Sequence, residues 1–266
     1  MLVGITIDGM DYTFDQALDL ARKGLLPLPY PVIAAVVDTI RRRDAERSPD
    51  EVSVTDLTMC PRSKVIRIVH DYYADLDRVF TLFRGLLVHE VLAKYAAEHA
   101  IVETRAFREY KGYKLYGTPD SLVLRNSGRY HLVDFKTTKR IPYYSPYSNH
   151  VVQVNVYRWL LDLPVHETDI DIVYISLDEA KVSAKRLESS RQQIWDDERV
   201  EKFLDEHFLP LARLVENREI LPVSMVDESI LSWACGYCPV VQQCLKLARE
   251  EGDWAVARVI GGYAQQ

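Results

Sequence analysis

Residues 114–136 read KLYGTPDSLVLRNSGRYHLVDFK, and the interpretation of the whole sequence starts from this stretch. Two runs typical of β-strands flank Asn126-Ser127-Gly128, which suits a hairpin loop because glycine tolerates positive φ angles. If Ser127 is the centre of the loop, the numbers of two facing residues sum to 2 × 127 = 254. This register predicts that Asp120 faces Asp134 across the hairpin.

Two carboxylates in this position need a counter-charge. The Cβ atoms of facing residues lie about 4.5–5.5 Å apart, and two carboxylates at about 5 Å repel by about 3 kcal/mol at an effective dielectric of about 20. A divalent cation removes this repulsion, and carboxylate oxygens suit Mg²⁺ or Mn²⁺. Lys136 lies two residues beyond Asp134 on the same strand face, where an ammonium can hold a phosphate or orient an attacking water. The alternative is a solvated hairpin end with Lys136 as a structural ion-pair partner.

Two further segments contain candidate site residues. His89 lies in the helical segment GLLVHEVLAKYAAE, four residues after Gly85, and the small glycine leaves room for a close approach to the imidazole. The alternative is a core histidine that is bonded to a carbonyl. Gln153 and Tyr157 lie four residues apart in VVQVNVYRWLL, a segment whose periodicity fits either a helix or a buried strand.

The composition narrows the class of protein. The chain has 266 residues, Lys+Arg 33 against Asp+Glu 39, a formal charge of −6 and 48% hydrophobic residues, so it is not a largely disordered protein. No run of about 18 uncharged apolar residues predicts a transmembrane helix, and the N-terminus lacks the pattern of a secretory signal. We therefore expect a cytoplasmic protein without a membrane partner. Its acidity argues against non-specific coating of nucleic acid but allows a locally basic groove.

Such a groove is indicated directly after the hairpin. From Phe135 to Leu161 the sequence contains neither Asp nor Glu. Lys139 and Arg140 are followed by Tyr143 and Tyr144, and this mixture is typical of single-strand binding because cations follow phosphates and aromatic rings stack on bases. We predict that these four residues contact DNA. The alternative is a loop that packs on the domain surface.

The four cysteines are unevenly distributed. Cys60 precedes the next cysteine by 235 − 60 = 175 residues, and the others form Cys235-x2-Cys238-x5-Cys244. Structural disulfides are disfavoured in a reducing compartment. The spacing favours an iron–sulfur cluster, [4Fe–4S] before [2Fe–2S], over the paired ligands of a Zn²⁺ site, which stays the alternative. Arg62, close to Cys60, is a further candidate for contact with DNA.

The order of strand-like and helix-like segments predicts an α/β (α+β) fold with a central mixed sheet flanked by helices. The polar segment 44–51 is the expected boundary between a mostly helical N-terminal appendage, residues 1–50, and a core over residues 51–221. Residues 222–266 form the expected cysteine lobe, completed by Cys60.

Taken together, these motifs resemble one family. Pro119-Asp120 with Asp134-Phe135-Lys136 resembles the PD-(D/E)xK nuclease signature, and Gly85-x3-His89, Gly117-x2-Asp120 and Gln153-x3-Tyr157 resemble further motifs of its RecB-like branch. The four cysteines resemble the iron–sulfur staple of the AddB type. The set is most similar to the CRISPR-associated RecB-like exonucleases, over about residues 53–250.

The resemblance implies a restriction-endonuclease-like core and a metal-dependent exonuclease acting on single-stranded DNA or DNA ends. The implied setting is CRISPR spacer acquisition, in which the enzyme trims precursor DNA together with integrase proteins. The alternatives are a non-catalytic DNA-binding or scaffold protein of an integration complex, and a RecB-like DNA-repair nuclease outside CRISPR.

The resemblance also implies roles for individual residues. The implied ligands of Mg²⁺ or Mn²⁺ are His89, Asp120, Asp134 and the backbone carbonyl of Phe135. Lys136 is implied to orient or activate the attacking water, and Gln153 and Tyr157 to border the site. A helix, not a strand, is implied for the segment that carries these last two residues.

Overall fold

The structure is a computed structural model that describes residues 1–45, 50–96, 101–102 and 105–264. The strands are β1 (Leu2–Ile7), β2 (Met10–Thr13), β3 (Val52–Ser53), β4 (Tyr72–Asp75), β5 (Ile101–Val102), β6 (Ala106–Tyr110), β7 (Tyr113–Gly117), β8 (Ser121–Leu124), β9 (Tyr130–Thr138), β10 (Thr168–Ser176) and β11 (Lys181–Arg186). The helices are α1 (Phe14–Arg22), α2 (Tyr30–Ala45), α3 (Pro61–Val69), α4 (Leu76–Ala96), α5 (Ser148–Leu160), α6 (Asp197–Phe203), α7 (Leu209–Asn217), α8 (Glu228–Ala234), α9 (Val241–Glu250) and α10 (Trp254–Ala264). None of the helices in the described part of the chain has the length and apolar character needed to cross a membrane.

The chain forms two compact units. The first comprises residues 1–51, 59–84 and 213–266, and the second comprises residues 52–58 and 85–212. The domain boundaries at 50–51 and 221–222 stay predictions.

The first unit contains a three-stranded sheet in the order β2-β1-β4, in which β1 is antiparallel to β2 and parallel to β4. The β1–β2 turn places Asp8 at φ 50° and Gly9 at φ 76°, the left-handed conformation that a two-residue hairpin loop requires. Helix α1 begins with a capping box in which Thr13 and Gln16 bond each other's backbone N–H groups. Apolar side chains of β1, α1 and α2 pack into one buried core.

The same unit holds all four cysteines. Helix α3 begins at Pro61, directly after Cys60, because proline needs no hydrogen-bond acceptor for its nitrogen at the first helical position. Cys235 starts a 3-10 turn and Cys244 lies in α9. The cysteines belong to a second hydrophobic core that includes residues of α8, α9 and α10.

The second unit contains a five-stranded sheet in the order β11-β10-β9-β8-β5 and a three-stranded sheet in the order β3-β7-β6. In the larger sheet β9 and β10 are parallel, whereas the other neighbouring strands are antiparallel. The predicted α/β fold with a mixed sheet is therefore confirmed. The predicted hairpin register is confirmed as well, because Leu122 pairs with Leu132 and Ser121 with Val133, and Gly128 has a φ of 77°.

The ambiguous valine-rich segment forms a helix, α5, which follows β9 and the basic loop. Every residue from Gln153 to Leu160 is buried. A helix that is buried on all sides shows no amphipathic period, which explains why its sequence also fits a strand.

Candidate active site and cysteine cluster

The β8–β9 hairpin positions two of the predicted acids. Asp120 immediately precedes β8, and Asp134 lies in β9. Oδ2 of Asp120 accepts a hydrogen bond from the backbone N–H of Phe135 at 2.7 Å, so this carboxylate reaches across the hairpin to β9. Asp134 is buried, with 2% of its surface exposed.

Helix α4 adds His89 to these acids. Nδ1 of His89 lies 3.2 Å from Oδ1 of Asp120, and its ring meets that of Phe135 edge-on. Burial lowers the pKa of His89, but the contact with Asp120 outweighs it and the net pKa is raised. A Cβ atom on Gly85 would lie 2.8 Å from Oγ1 of Thr137, so a larger residue at this position would require the Thr137 side chain to shift.

Lys136 forms a buried ion pair with Asp134. The ammonium lies 2.9 Å from Oδ2 of Asp134. Burial raises the pKa of Asp134 to about 6, and Lys136 opposes this increase. Burial also disfavours the charged form of Lys136, but the carboxylate of Asp134 and other nearby groups raise the pKa of the lysine above its ordinary value. At neutral pH the lysine is therefore a fixed positive charge beside the acids.

The donor set fits a hard divalent cation. Two carboxylates and an imidazole are ligand types that Mg²⁺ and Mn²⁺ accept. Oδ2 of Asp134 is buried and accepts no regular hydrogen bond from the described residues. Its 2.9 Å contact with the Lys136 ammonium is an ion pair. Over the described ranges no three His, Cys, Asp or Glu side chains are arranged to hold a metal ion. In the β8–β9 hairpin, Asp120 accepts from the Phe135 N–H and Asp134 pairs with the Lys136 ammonium.

Gln153 and Tyr157 lie side by side on α5. Nε2 of Gln153 donates to the Tyr157 hydroxyl at 2.8 Å, and both side chains are buried. Burial raises the pKa of Tyr157 to about 12, and the charges of Asp134 and Lys136 also act on it. A Cβ atom on Gly117 would lie 2.6 Å from the Tyr157 ring, so this glycine leaves the space that the tyrosine occupies.

Two residues that sequence reasoning missed lie near Lys136. Tyr174 pairs with Lys136 in the parallel β9–β10 ladder, and the Tyr174 hydroxyl accepts from the backbone N–H of Tyr147 at 3.1 Å. That hydroxyl lies 3.0 Å from Nδ1 of His150. Burial and the charge of Lys136 lower the pKa of His150 to about 3, so it is neutral at physiological pH. The only feature of the sequence that could have indicated His150 is its position three residues before Gln153.

The predicted DNA-contacting residues lie in the segment between β9 and α5. Lys139 and Arg140 are exposed, and Tyr143 and Tyr144 each expose 81% of their surface. The two tyrosine rings meet edge-to-face with their centroids 4.5 Å apart. Aromatic surface of this extent next to two cations is available to a ligand.

The cysteines form a buried thiol cluster. Cys60, Cys235, Cys238 and Cys244 are all free and buried within one hydrophobic core. Burial raises the pKa of Cys235 and of Cys238 to about 12, and in both cases neighbouring cysteines add to the increase. Burial likewise raises the pKa values of the other two thiols. Four uncompensated thiolates are therefore disfavoured, and a cation bound among them would remove the penalty.

The structure corrects the placement of Arg62. Its side chain is fully buried, with 0% exposed, and its guanidinium donates to Oε1 of Glu251, to Sγ of Cys244 and to the carbonyl of Leu221. The predicted contact of Arg62 with DNA is wrong for this reason: the guanidinium is enclosed by protein atoms.

The chain is similar to known proteins both in sequence profile and in structure. The sequence profile of the PD-(D/E)XK nuclease superfamily matches residues 34–245. The crystal structure of SSO0001 is similar with a TM-score of 0.53 and 20% identity, and the match covers 77% of this chain and 92% of that chain. An alkaline exonuclease (LHK-Exo) from Laribacter hongkongensis gives a TM-score of 0.40 at 13% identity over 63% of this chain and 91% of that one. Its complex with dAMP gives 0.36 at 14% identity, over 63% and 93%. No curated protein sequence matches the chain. The likeness to SSO0001 concerns the fold alone.

Proposed function

The chain belongs to the PD-(D/E)XK nuclease superfamily, and from this premise we propose that it is a metal-dependent DNA exonuclease that hydrolyses single-stranded DNA or DNA ends. One observation carries the proposal. The buried Asp134–Lys136 ion pair and the Asp120–His89 contact meet at the β8–β9 hairpin, with a carboxylate of raised pKa among them. If the Asp134–Lys136 pair only stabilised the fold, it would not need a second acid, Asp120, beside it.

In the proposed site His89, Asp120, Asp134 and the backbone carbonyl of Phe135 bind Mg²⁺ or Mn²⁺. When bound, the cation lowers the pKa of water and neutralises charge that develops on the phosphate. Lys136 keeps its proton, and its ammonium orients the attacking water or holds a phosphate oxygen.

The residues of α5 support Lys136 in this proposal. Gln153 donates to the Tyr157 hydroxyl at 2.8 Å, and the buried Tyr157 interacts electrostatically with Asp134 and Lys136 of the active-site strand. A mobile ammonium would serve the reaction poorly because catalytic groups must be held close to their productive geometry.

We further propose that a single strand lies along the segment from Lys139 to Tyr144. The two exposed cations attract phosphates, and the two exposed tyrosine rings offer surfaces on which bases stack. The net charge of −6 makes such a local basic surface necessary for binding a polyanion.

We propose that the four cysteines bind an iron–sulfur cluster, with [4Fe–4S] preferred to [2Fe–2S] and Zn²⁺ as the alternative. Four free thiols within one buried core support a shared metal group. The preference for a cluster over zinc rests on the sequence spacing, in which one cysteine stands 235 − 60 = 175 residues before the other three, whereas structural zinc sites commonly use two pairs of close ligands.

The proposed setting is the cytoplasm, where thiols remain reduced. The proposed task is the trimming of precursor DNA in CRISPR spacer acquisition, with integrase proteins as partners. Support comes from the combination of a nuclease signature and the one-plus-three cysteine spacing in one chain. Trimming to a defined length only when the integrase proteins are present would support this task, and unlimited degradation in their presence would favour a DNA-repair nuclease.

The catalytic proposal is tested with end-labelled linear single strands and circular single strands in Mn²⁺. We expect the wild type to degrade the linear substrate, to spare the circle and to lose activity as Asp134→Ala. The matched control is Asp162→Asn, because Asp162 is an exposed acid of the same unit. Equal activity of wild type and Asp134→Ala would remove the catalytic assignment, and DNA binding without cleavage in both Mg²⁺ and Mn²⁺ would favour the scaffold alternative.

A further inference from the structure

Arg62 is a fully buried cation beside the thiol cluster. It follows Cys60 by two residues in α3, and 0% of its surface is exposed. Removing a guanidinium from water is costly unless its charge and its N–H groups are satisfied. The surroundings of Arg62 therefore indicate what the fold gains by burying it.

The contacts divide into charge pairing and anchoring of the backbone. Nη2 donates to Oε1 of Glu251 at 2.6 Å, and Oε2 of the same glutamate accepts from the backbone N–H of Val223 at 3.0 Å. Nη1 donates to the carbonyl of Leu221. These partners tie α3 to the end of α9 and to the segment before α8, and Glu251 alone already balances the charge.

The third contact is directed at sulfur. Nε of Arg62 lies 3.3 Å from Sγ of Cys244, in hydrogen-bonding geometry. A neutral thiol is a weak acceptor, whereas a metal-bound sulfur carries negative charge and accepts well. The arrangement thus suits Cys244 as a ligand better than Cys244 as a free thiol.

We propose that Arg62 is a positioning residue for the metal group, which fixes the Cys244 sulfur as a ligand and offsets part of its negative charge. This inference rests on the proposed iron–sulfur function. Hydrogen bonds to the ligand sulfurs of a cluster stabilise its reduced, more negative state and raise its reduction potential. Arg62 is the residue that sets this potential from the side of Cys244.

Arg78 provides a matched comparison in the same unit. Its Nη1 donates to the backbone carbonyls of Cys235 at 3.0 Å and of Cys238 at 3.2 Å. These hydrogen bonds hold the backbone that carries two of the cysteines. They go to carbonyl oxygens, whereas the Nε of Arg62 donates to a cysteine sulfur. A change at Arg78 should affect the stability of the unit, with a smaller effect on the potential than a change at Arg62.

The test is an anaerobic redox titration of the purified full chain, with iron and zinc analysis. For Arg62→Gln we expect a roughly tenfold lower ratio of reduced to oxidised cluster at a fixed potential, which for one electron is a shift of about 59 mV to more negative values. For Glu251→Gln we expect the opposite sign, because Arg62 then keeps its place but loses its counter-charge. Arg78→Gln should shift the potential less than Arg62→Gln does, because Arg78 acts on the Cys235 sulfur through its charge alone, without a hydrogen bond to it. A purely structural role would change the stability of all three variants without these opposite shifts.

The outcomes separate the two proposals. If the wild type contains iron and shows the visible absorption of a cluster, but Arg62→Gln and Glu251→Gln have its potential, the inference about Arg62 is overturned and the cluster stands. If the wild type binds zinc or no metal, the cluster proposal fails and the role of Arg62 in setting a potential fails with it. If Arg62→Gln does not fold, Arg62→Lys decides, because it keeps the positive charge but loses the Nε–H group directed at Cys244, and a potential equal to that of the wild type overturns the inference.

Discussion

Replacing the tyrosines of the loop after β9 is the most direct test of the DNA path. Tyr143 and Tyr144 expose 81% of their surface each, but their backbone carbonyls are held by Nζ of Lys185 at 3.0 Å and by Nη1 of Arg191 at 3.3 Å. Alanine keeps both carbonyls. Substitution therefore removes the two rings and leaves the backbone anchors of the loop in place.

The expected magnitude follows from base stacking. Loss of one stacked ring costs about 1–3 kcal/mol, which is about a 5- to 150-fold increase in Kd for single-stranded DNA. The two rings touch, with centroids 4.5 Å apart. The double variant should therefore lose less than the product of the two single effects, since contacting residues are not independent.

The assay is fluorescence anisotropy with a labelled single strand, in an Asp134→Ala background that prevents cleavage. Phenylalanine variants keep the stacking surface and should bind like the parent. Tyr237→Ala removes another exposed tyrosine, 60% accessible, as a control. The salt dependence should stay unchanged in the tyrosine variants and fall in Lys139→Gln, because only the latter removes a phosphate contact. A double alanine variant with a Kd within about twofold of the parent would refute the stacking surface.

Three further changes probe the site and its sheet. Lys136→Gln replaces the ammonium by a shorter, neutral side chain, so the single-turnover cleavage rate should fall by about 10²- to 10³-fold, as when one electrostatic donor is removed from an active site. Gly117→Ala places a Cβ atom 2.6 Å from the buried ring of Tyr157, so unfolding in urea should show a loss of about 1–3 kcal/mol and cleavage should slow. Arg186→Met removes a two-bond ion pair with Asp171 and should cost about 1 kcal/mol at pH 7, because Arg186 is half exposed. Burial alone would raise the pKa of Asp171, but Arg186 and His131 hold it well below its usual range. This stabilisation is therefore present above a pH of about 4 and is lost as the pH falls through the lower pKa of the folded state.

Each of these predictions has its control. Gly262→Ala adds a Cβ atom with nothing within 4 Å and should not destabilise the protein, because alanine is a better helix former than glycine in α10. If Gly117→Ala also leaves the free energy of unfolding undiminished, Gly117 does not make room for the Tyr157 ring. A cleavage rate of Lys136→Gln equal to that of the wild type would show that the ammonium has no part in the reaction. A stability deficit of Arg186→Met that persists undiminished at pH 2.5 would contradict the linkage to Asp171.

The fold was predictable wherever the decisive information was local. A loop of fixed length with glycine at its last position sets the register of a hairpin, and the pairing of Leu122 with Leu132 confirms that reasoning. The helix α5 was not decided by its own periodicity, because its buried face extends all the way round from Gln153 to Leu160. Only the resemblance to a family indicated a helix there.

The site was predictable where its residues share a hairpin or a helix. Asp120, Asp134 and Lys136 follow from one register, and their proposed roles stay predictions. Tyr174 enters from β10, a strand 174 − 136 = 38 residues further along the chain, through a parallel pairing that no short-range pattern specifies. The sequence gives no indication that His150, which contacts Tyr174, belongs to the site, apart from its position three residues before Gln153.

Arg62 shows why a local reading of charge fails. The sequence around Cys60 predicts that Arg62 lies on an exposed basic surface, since charged side chains are almost never fully buried unless they are paired. The pairing comes from Glu251 and Leu221, which lie 189 and 159 residues away along the chain. The burial of a guanidinium therefore depends on hydrogen-bond acceptors from residues that are distant in sequence. The same acceptors leave one N–H directed at the Cys244 sulfur, so the burial that removes Arg62 from any DNA-binding surface also places it where we propose that it positions a metal ligand.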